Sequence, residues 1–199
     1  MKPRAPTTTP SLARKLTEHV APFDEAAIDA ANKAWHCTCG PVAIACILGL
    51  TLDQVRPLIG SDYRGWMNPT QVRAALDRAG VRVEEIPRDR LYRPDGLKRG
   101  AQIYAAAYGL MRLQFAGPWS EPGVPPRVAY RHTHWVASMA GKDGFPVMYD
   151  INWGWMETGR YFRNMDELAL ETPRSTGKWW PTHIYEVSFP ISASATPEV

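Results

Sequence analysis

Cysteine is scarce in this chain: there are three in 199 residues, all between positions 37 and 46. An odd, clustered set cannot build the disulfide framework of a small secreted domain, so a reducing, cytoplasmic setting is expected. Long hydrophobic runs are lacking too. The longest, "PVAIACILGL", is about half of the ~20 residues a membrane-spanning helix needs, and "MKPRAPTTTPSLARKL" has no apolar core of the signal-peptide kind. Neither insertion into a membrane nor export is expected. Charge of one sign is not in excess, since 23 basic and 20 acidic residues leave a net +3, far from the dense field of a nucleic-acid binder. No internal repeat is present. No second Cys or His pair stands at ligand spacing from His36, Cys37 and Cys39, which argues against a metal centre, and nothing calls for another cofactor.

What is present describes a packed protein. A 45% hydrophobic content with eight Trp and eight Tyr suits one domain with a substantial core. That domain is expected over 12–190, between polar, flexible tails at 1–11 and 191–199. Its first part reads as helical: "EAAIDAANKA" behind an Asp24 cap, "CGPVAIACIL" stopped by Gly49, "TLDQVRPLI" opening at Thr51 or Asp53, and "NPTQVRAALDRAG" opening at Asn68 or Thr70. The second run is apolar on every side, as in a helix buried all round. The period then changes from helical to alternating. "VRVEEI", "GLMRLQFAG", "THWVASMAG", "FPVMYDIN" and "THIYEVSF" read as strands between turn signals. The fold class is therefore α+β, with N-terminal helices on an antiparallel sheet.

The chemistry gathers at the start of the buried helix. A thiolate is the reactive form of cysteine, and unpaired amides at a helix N-terminus favour it. With Thr38 as N-cap, Cys39 stands at the first helical position, and Pro41 falls in the first turn, where a missing amide hydrogen costs little. Cys46 lies deep in the same helix and reads as inert packing; Cys37 is either an inert neighbour or a resolving thiol. A nucleophilic thiol needs a base. His134 opens the apolar strand "HWVASM" and is the better placed candidate; His132, of the same strand parity, is the other. Asp150 ends "FPVMYD", and pairing of the two strands through "GKDG" sets it roughly opposite His134, able to orient the imidazole. Asn152 shares its parity and is the alternative orienting residue. Each of these residues also has a bland interpretation, as buried filler or a strand end.

These motifs resemble the papain-like cysteine peptidase superfamily. "CGPVAIACILG", then "HWVASM", then "VMYDIN" look like the Cys-Gly-Pro helix, His-Trp-Val strand and Asp strand of the bacteriocin-processing peptidases. They also look like small uncharacterised papain-like proteins of phages and mobile elements, which have counterparts of "GWMNPTQVRAAL" and "GKWWPTHIYEV". The resemblance spans roughly 33 to 188 and implies a papain-like fold. It implies Cys39 as nucleophile, His134 as base, Asp150 as orienting acid, and a peptide, isopeptide or thioester carbonyl as target. In one respect the chain departs from that pattern. The oxyanion-binding Gln that such peptidases carry about six residues before the nucleophile is replaced by Lys33, preceded by Asn32; Asn32 is the candidate substitute, beside the Cys39 amide.

The expected function is thus a thiol hydrolase with a protein or peptide substrate. The alternative is a non-catalytic papain-like scaffold, phage-encoded, that binds a host protein through groove aromatics such as Trp153. The stretch "RDRLYRPDGLKRG", with five basic and two acidic residues, could face phosphate, but such stretches are more often solvated loops, and nucleic acid is not an expected partner.

Overall fold

The computed structural model describes residues 23–91, 105–140 and 146–189. Outside them lie the expected tails, the chain before Pro22, the "GKDG" turn and most of the basic connection. In chain order come helices α1 (Glu25–Trp35), α2 (Cys39–Leu48), α3 (Leu52–Ile59) and α4 (Pro69–Arg78), then strands β1 (Arg82–Glu85) and β2 (Tyr108–Phe115). A single turn, α5 (Pro126–Ala129), precedes β3 (Thr133–Ala140), β4 (Pro146–Asp150) and β5 (Gly154–Glu157), followed by α6 (Thr158–Glu171) and β6 (Trp179–Ser188). The chain is α+β. Its sheet runs β1-β6-β2-β3-β4-β5, and every neighbouring pair is antiparallel.

The helix boundaries follow from local chemistry. Asp24 caps α1 by accepting the Ala27 amide. Thr51 and Asn68 each form a capping box, with Gln54 and Gln71 reaching back to the cap amide. Helix α2 ends where Gly49 turns left-handed at φ 62°, a conformation that costs a residue without Cβ nothing.

Three elements have no counterpart among the sequence expectations: the single turn α5, β5 and α6. Strand β5 is only four residues long, and α6 starts at the next residue with no turn signal between. The spacing of Met165, Leu168 and Ala169 nevertheless sets one face of α6 on the core.

The sheet has two covered faces. On one, Leu110, Trp135, Ala137, Tyr149, Tyr185 and Val187 pack beneath α2, whose residues from Gly40 to Leu48 are all buried. On the other, Met111, Leu113, Val136, Met148 and Ile184 pack with Met165 and Ala169 of α6. Strand β2 lies between both layers, which is why it reads as nearly continuous apolar sequence. The exceptions are Arg112 and Gln114, buried polar residues on the α2 side beyond Leu110. Helix α2 and the sheet together hold the N-terminus of the helix against the start of β3.

Candidate active site

Cys39 is the first residue of α2 and is partly exposed. The loop before it is tied down from several sides. The Tyr63 hydroxyl donates to the His36 carbonyl (2.7 Å), and the Thr38 hydroxyl donates to the Gly65 carbonyl (3.0 Å). Behind Cys39, Gly40 lies against Met67, so close that a Cβ there would stand 3.1 Å from the Met67 Cβ. The Met67 carbonyl accepts the Trp135 indole N–H (2.9 Å), locking loop, helix tip and strand together.

Thr38 is the N-cap by position, in extended conformation, but its side chain makes no capping hydrogen bond. Its hydroxyl serves the 65 loop instead. The amides of Cys39 and Gly40 at the helix tip are therefore left uncapped by that side chain, and Pro41 has none to cap.

Strands β3 and β4 bring His134 and Asp150 together. Their pairing includes Ala137 opposite Tyr149, and continued in the same register it sets Asp150 opposite Val136 rather than His134. The expected register is therefore corrected by two residues. A shift of two keeps the side chains on one face, and His134 meets Asp150 diagonally. The His134 Nε2 is hydrogen-bonded to Asp150 Oδ2. The other carboxylate oxygen accepts the Asn152 backbone amide at 2.7 Å. Asn152 thus acts through its main chain and its side chain is exposed; it supports Asp150 rather than replacing it.

With Nε2 occupied, Nδ1 is the ring nitrogen left for Cys39. Phe115 stacks at 6.4 Å from the His134 ring. The Cys39 sulfur also faces the backbone amide of Trp135, where β3 has run past its pairing with β4.

Each group of this trio is shifted toward its charged form. For Cys39, burial pushes the thiol up, but the His134 charge and hydrogen bond, with the Trp135 amide, outweigh it and hold the thiol below its ordinary value. For His134, burial pulls down, while the Asp150 charge, the Cys39 charge and hydrogen bonds to both raise it well above the ordinary imidazole value. For Asp150, burial pushes up, yet His134 and the Asn152 and Trp153 amides keep the carboxyl below its usual range. The favoured state is thiolate, imidazolium and carboxylate.

The other candidates separate from this group. Cys37 is fully buried, and burial, then the Cys39 charge, pushes its thiol up to about 12, which makes it a protonated neighbour at neutral pH. Cys46 is pushed up further by burial alone. His132 is not a strand residue: it ends a short 3₁₀ turn, Tyr130–His132, and stacks on Trp119 with centroids 3.5 Å apart. Asn32 donates its side-chain amide to the Cys37 carbonyl at 2.7 Å, so it holds the loop that leads into Cys39. Among the described residues no group of three or more His, Cys, Asp or Glu is arranged to hold a metal ion.

Two polar residues that sequence reasoning missed adjoin the site. Gln114, opposite Thr133, places its amide nitrogen near the carbonyls of Phe115, Ala129 and His132 and so fixes the entry into β3. Arg112 lies directly opposite Trp135. Their signal was available: a basic and an amide residue at alternate positions of an otherwise apolar strand.

Comparison with protein-family models, with curated proteins and with solved structures finds no match.

Proposed function

We propose that this chain is a papain-like thiol hydrolase acting on a peptide, isopeptide or thioester carbonyl. The observation that carries this reading is the imidazole of His134, bonded through Nε2 to buried Asp150 and coupled to a thiol at a helix tip. In the reaction, the Cys39 thiolate attacks the carbonyl carbon while the imidazolium retains the thiol's proton. The oxyanion faces the uncapped amides of Cys39 and Gly40. As the tetrahedral adduct collapses, His134 protonates the departing group, leaving a thioester on Cys39. A water then gives its proton to His134 and its oxygen to the acyl carbon, and the thiolate departs. Asp150 holds the ring orientation and balances the imidazolium charge throughout.

Trp66 and Trp153, 56% and 42% exposed, support a peptide as substrate. Trp66 lies between Gly65, which is bonded to Thr38, and Met67, packed on Gly40; Trp153 follows the turn that anchors Asp150. Exposed aromatics next in sequence to residues that hold the nucleophile and the orienting acid suit a peptide chain as ligand. A reducing compartment, the cytoplasm, suits an unpaired thiolate.

A specific observation favours the scaffold alternative. Lysine stands where the oxyanion glutamine is expected, and the Asn32 amide is engaged with the loop carbonyl. Losing one oxyanion donor costs about 10²–10³ in rate. A phage-encoded scaffold would bind a host protein through Trp66 and Trp153 without turnover.

Incubation with peptidyl thioesters and nitrophenyl esters, followed by intact-mass and peptide mass spectrometry, separates the two. A hydrolase shows a transient acyl adduct on Cys39, absent from Cys39→Ala. No adduct on any residue, with partner binding unaffected by Cys39→Ala, would leave the scaffold.

A further inference from the structure

Past the tip of α2, strands β2 and β6 and the end of α5 line a cleft of about 430 Å³, with Arg88, Arg112, Tyr130, Trp180, Thr182 and His183 among its residues. This cleft adjoins the candidate active site. Arg112 is the cross-strand partner of Trp135, whose amide faces the Cys39 sulfur, and the Cys39 charge reaches the guanidinium.

Arg112 is only 3% exposed, yet it forms no ion pair among the described residues. Its Nη1 donates to the Thr182 hydroxyl at 3.1 Å, its guanidinium carbon lies 5.3 Å from the Tyr130 ring centroid, and its Nε is buried with no partner. A guanidinium cannot discharge itself by losing a proton, so burying one without an anion is costly. Tyr130 and Thr182 satisfy it in part. Glu121 also lines the cleft but is exposed and forms no ion pair among the described residues. Nearby, His183 is held down to about 4 by burial, then by the charges of Arg112 and Arg88. The local field is therefore positive, and among the described residues no carboxylate pairs with it.

We propose that this cleft is a carboxylate subsite in which Arg112, backed by Arg88, holds an acidic side chain or the C-terminal carboxylate of a bound peptide. This deepens the hydrolase reading and rests on it for the identity of the ligand as substrate. A carboxylate fits the planar donor fork of Arg112. The cleft's position on β2, opposite Trp135, sets such an anchor beside the nucleophile, on the far side of the helix tip from the packed core.

The test is nuclear magnetic resonance of the His183 ring in the full chain, with two isomeric probes and a neutral control. N-acetylglutamate α-amide carries its charge on the side chain, N-acetylglutamine carries it at the C-terminus, and N-acetylglutamine amide carries none. The proposal expects a saturable shift of the His183 signals, and a rise in its pKa, with at least one charged probe. That probe should bind about tenfold or more tighter than the neutral one, and its identity tells which carboxylate is read. Arg112→Gln should abolish the response, with the His134 signals reporting whether the variant is folded; Arg88→Gln, at an exposed position, should weaken it about threefold. Equal response to the neutral probe, a shift reproduced by sodium chloride at the same ionic strength, no saturable shift, or full affinity in Arg88→Gln and folded Arg112→Gln would each overturn it. No turnover is involved. Carboxylate binding in a chain that never acylates Cys39 would sink the hydrolase reading alone, and acylation without carboxylate binding would sink only the subsite.

Discussion

Leu110 and Arg112 are next-but-one neighbours on one face of β2, and both are buried, but they belong to different regions. Leu110 lies under α2 in an apolar layer with Ala137 and Tyr185, while Arg112 lies past the helix tip, in a cleft with His183 and Thr182. What separates them is where α2 begins. A helix covers apolar sheet surface along its length, and its N-terminus offers uncapped amides and partial positive charge at the boundary. The two cysteines flanking Thr38 repeat the contrast: Cys37, enclosed in the core, is held protonated, whereas Cys39, at the boundary, is held toward its thiolate. What separates the two thiols is position at the border between a packed and a polar region, not residue type.

That comparison can be broken in order of effect. Removing the base is the largest change. In His134→Ala the burial of Cys39 is opposed by the Trp135 amide and the helix tip alone, its pKa rises, and alkylation by iodoacetamide at pH 6 should slow by about 10²-fold or more; a slowing under threefold would show that these backbone groups suffice to make the thiolate. Next, Ile44→Ala opens a cavity in the fully buried part of α2 and should cost about 2–5 kcal/mol in denaturant unfolding. The folded fraction should still show fast Cys39 labelling, since the boundary is intact. Loss of both together would merge the two regions.

Asp150→Asn is a smaller change, about 1–3 kcal/mol at neutral pH, and its sign depends on pH. The Asp150 contribution is present above the unfolded carboxyl value of about 3.9 and is lost as pH falls through the lower folded value. The His134 contribution is complete below about 6.5 and is lost as pH rises through the raised folded value. Stability profiles of wild type and variant should therefore diverge most between these limits and converge outside them; parallel profiles would deny the charge pair. Smallest is Tyr63→Phe, which removes the hydroxyl that donates to the His36 carbonyl. It should cost about 1 kcal/mol and broaden Cys39 reactivity without abolishing it, as measured by unfolding and labelling together.

Much of this arrangement was legible before the structure. The α2 helix announces itself by apolar residues on all sides, Thr38 before it and Gly49 after it, and the caps at Asp24, Thr51 and Asn68 mark the other early helices. The meeting of His134 and Asp150 followed from two alternating strands around one turn, although the register needed correction, since strand alternation fixes the face of each side chain but not a slip of two residues. Arg112 and Gln114 stand out as polar residues in an apolar strand, but that signal does not say whether an inward polar residue meets a partner or a cleft. Strand β5 and helix α6 escaped because no turn residue separates them. His132 was misplaced on a strand: the chain is still in a 3₁₀ turn there, held by Gln114 from across the sheet.

The most direct test is the pH dependence of iodoacetamide labelling in the wild-type chain, read residue by residue with mass spectrometry. The account predicts that Cys39 is modified fast, with a rate that persists below pH 7, while Cys37 and Cys46 stay unlabelled until the chain unfolds. Slow modification of Cys39 that rises only near the free-thiol value of about 8.5 would contradict the thiolate–imidazolium pair and the hydrolase built on it.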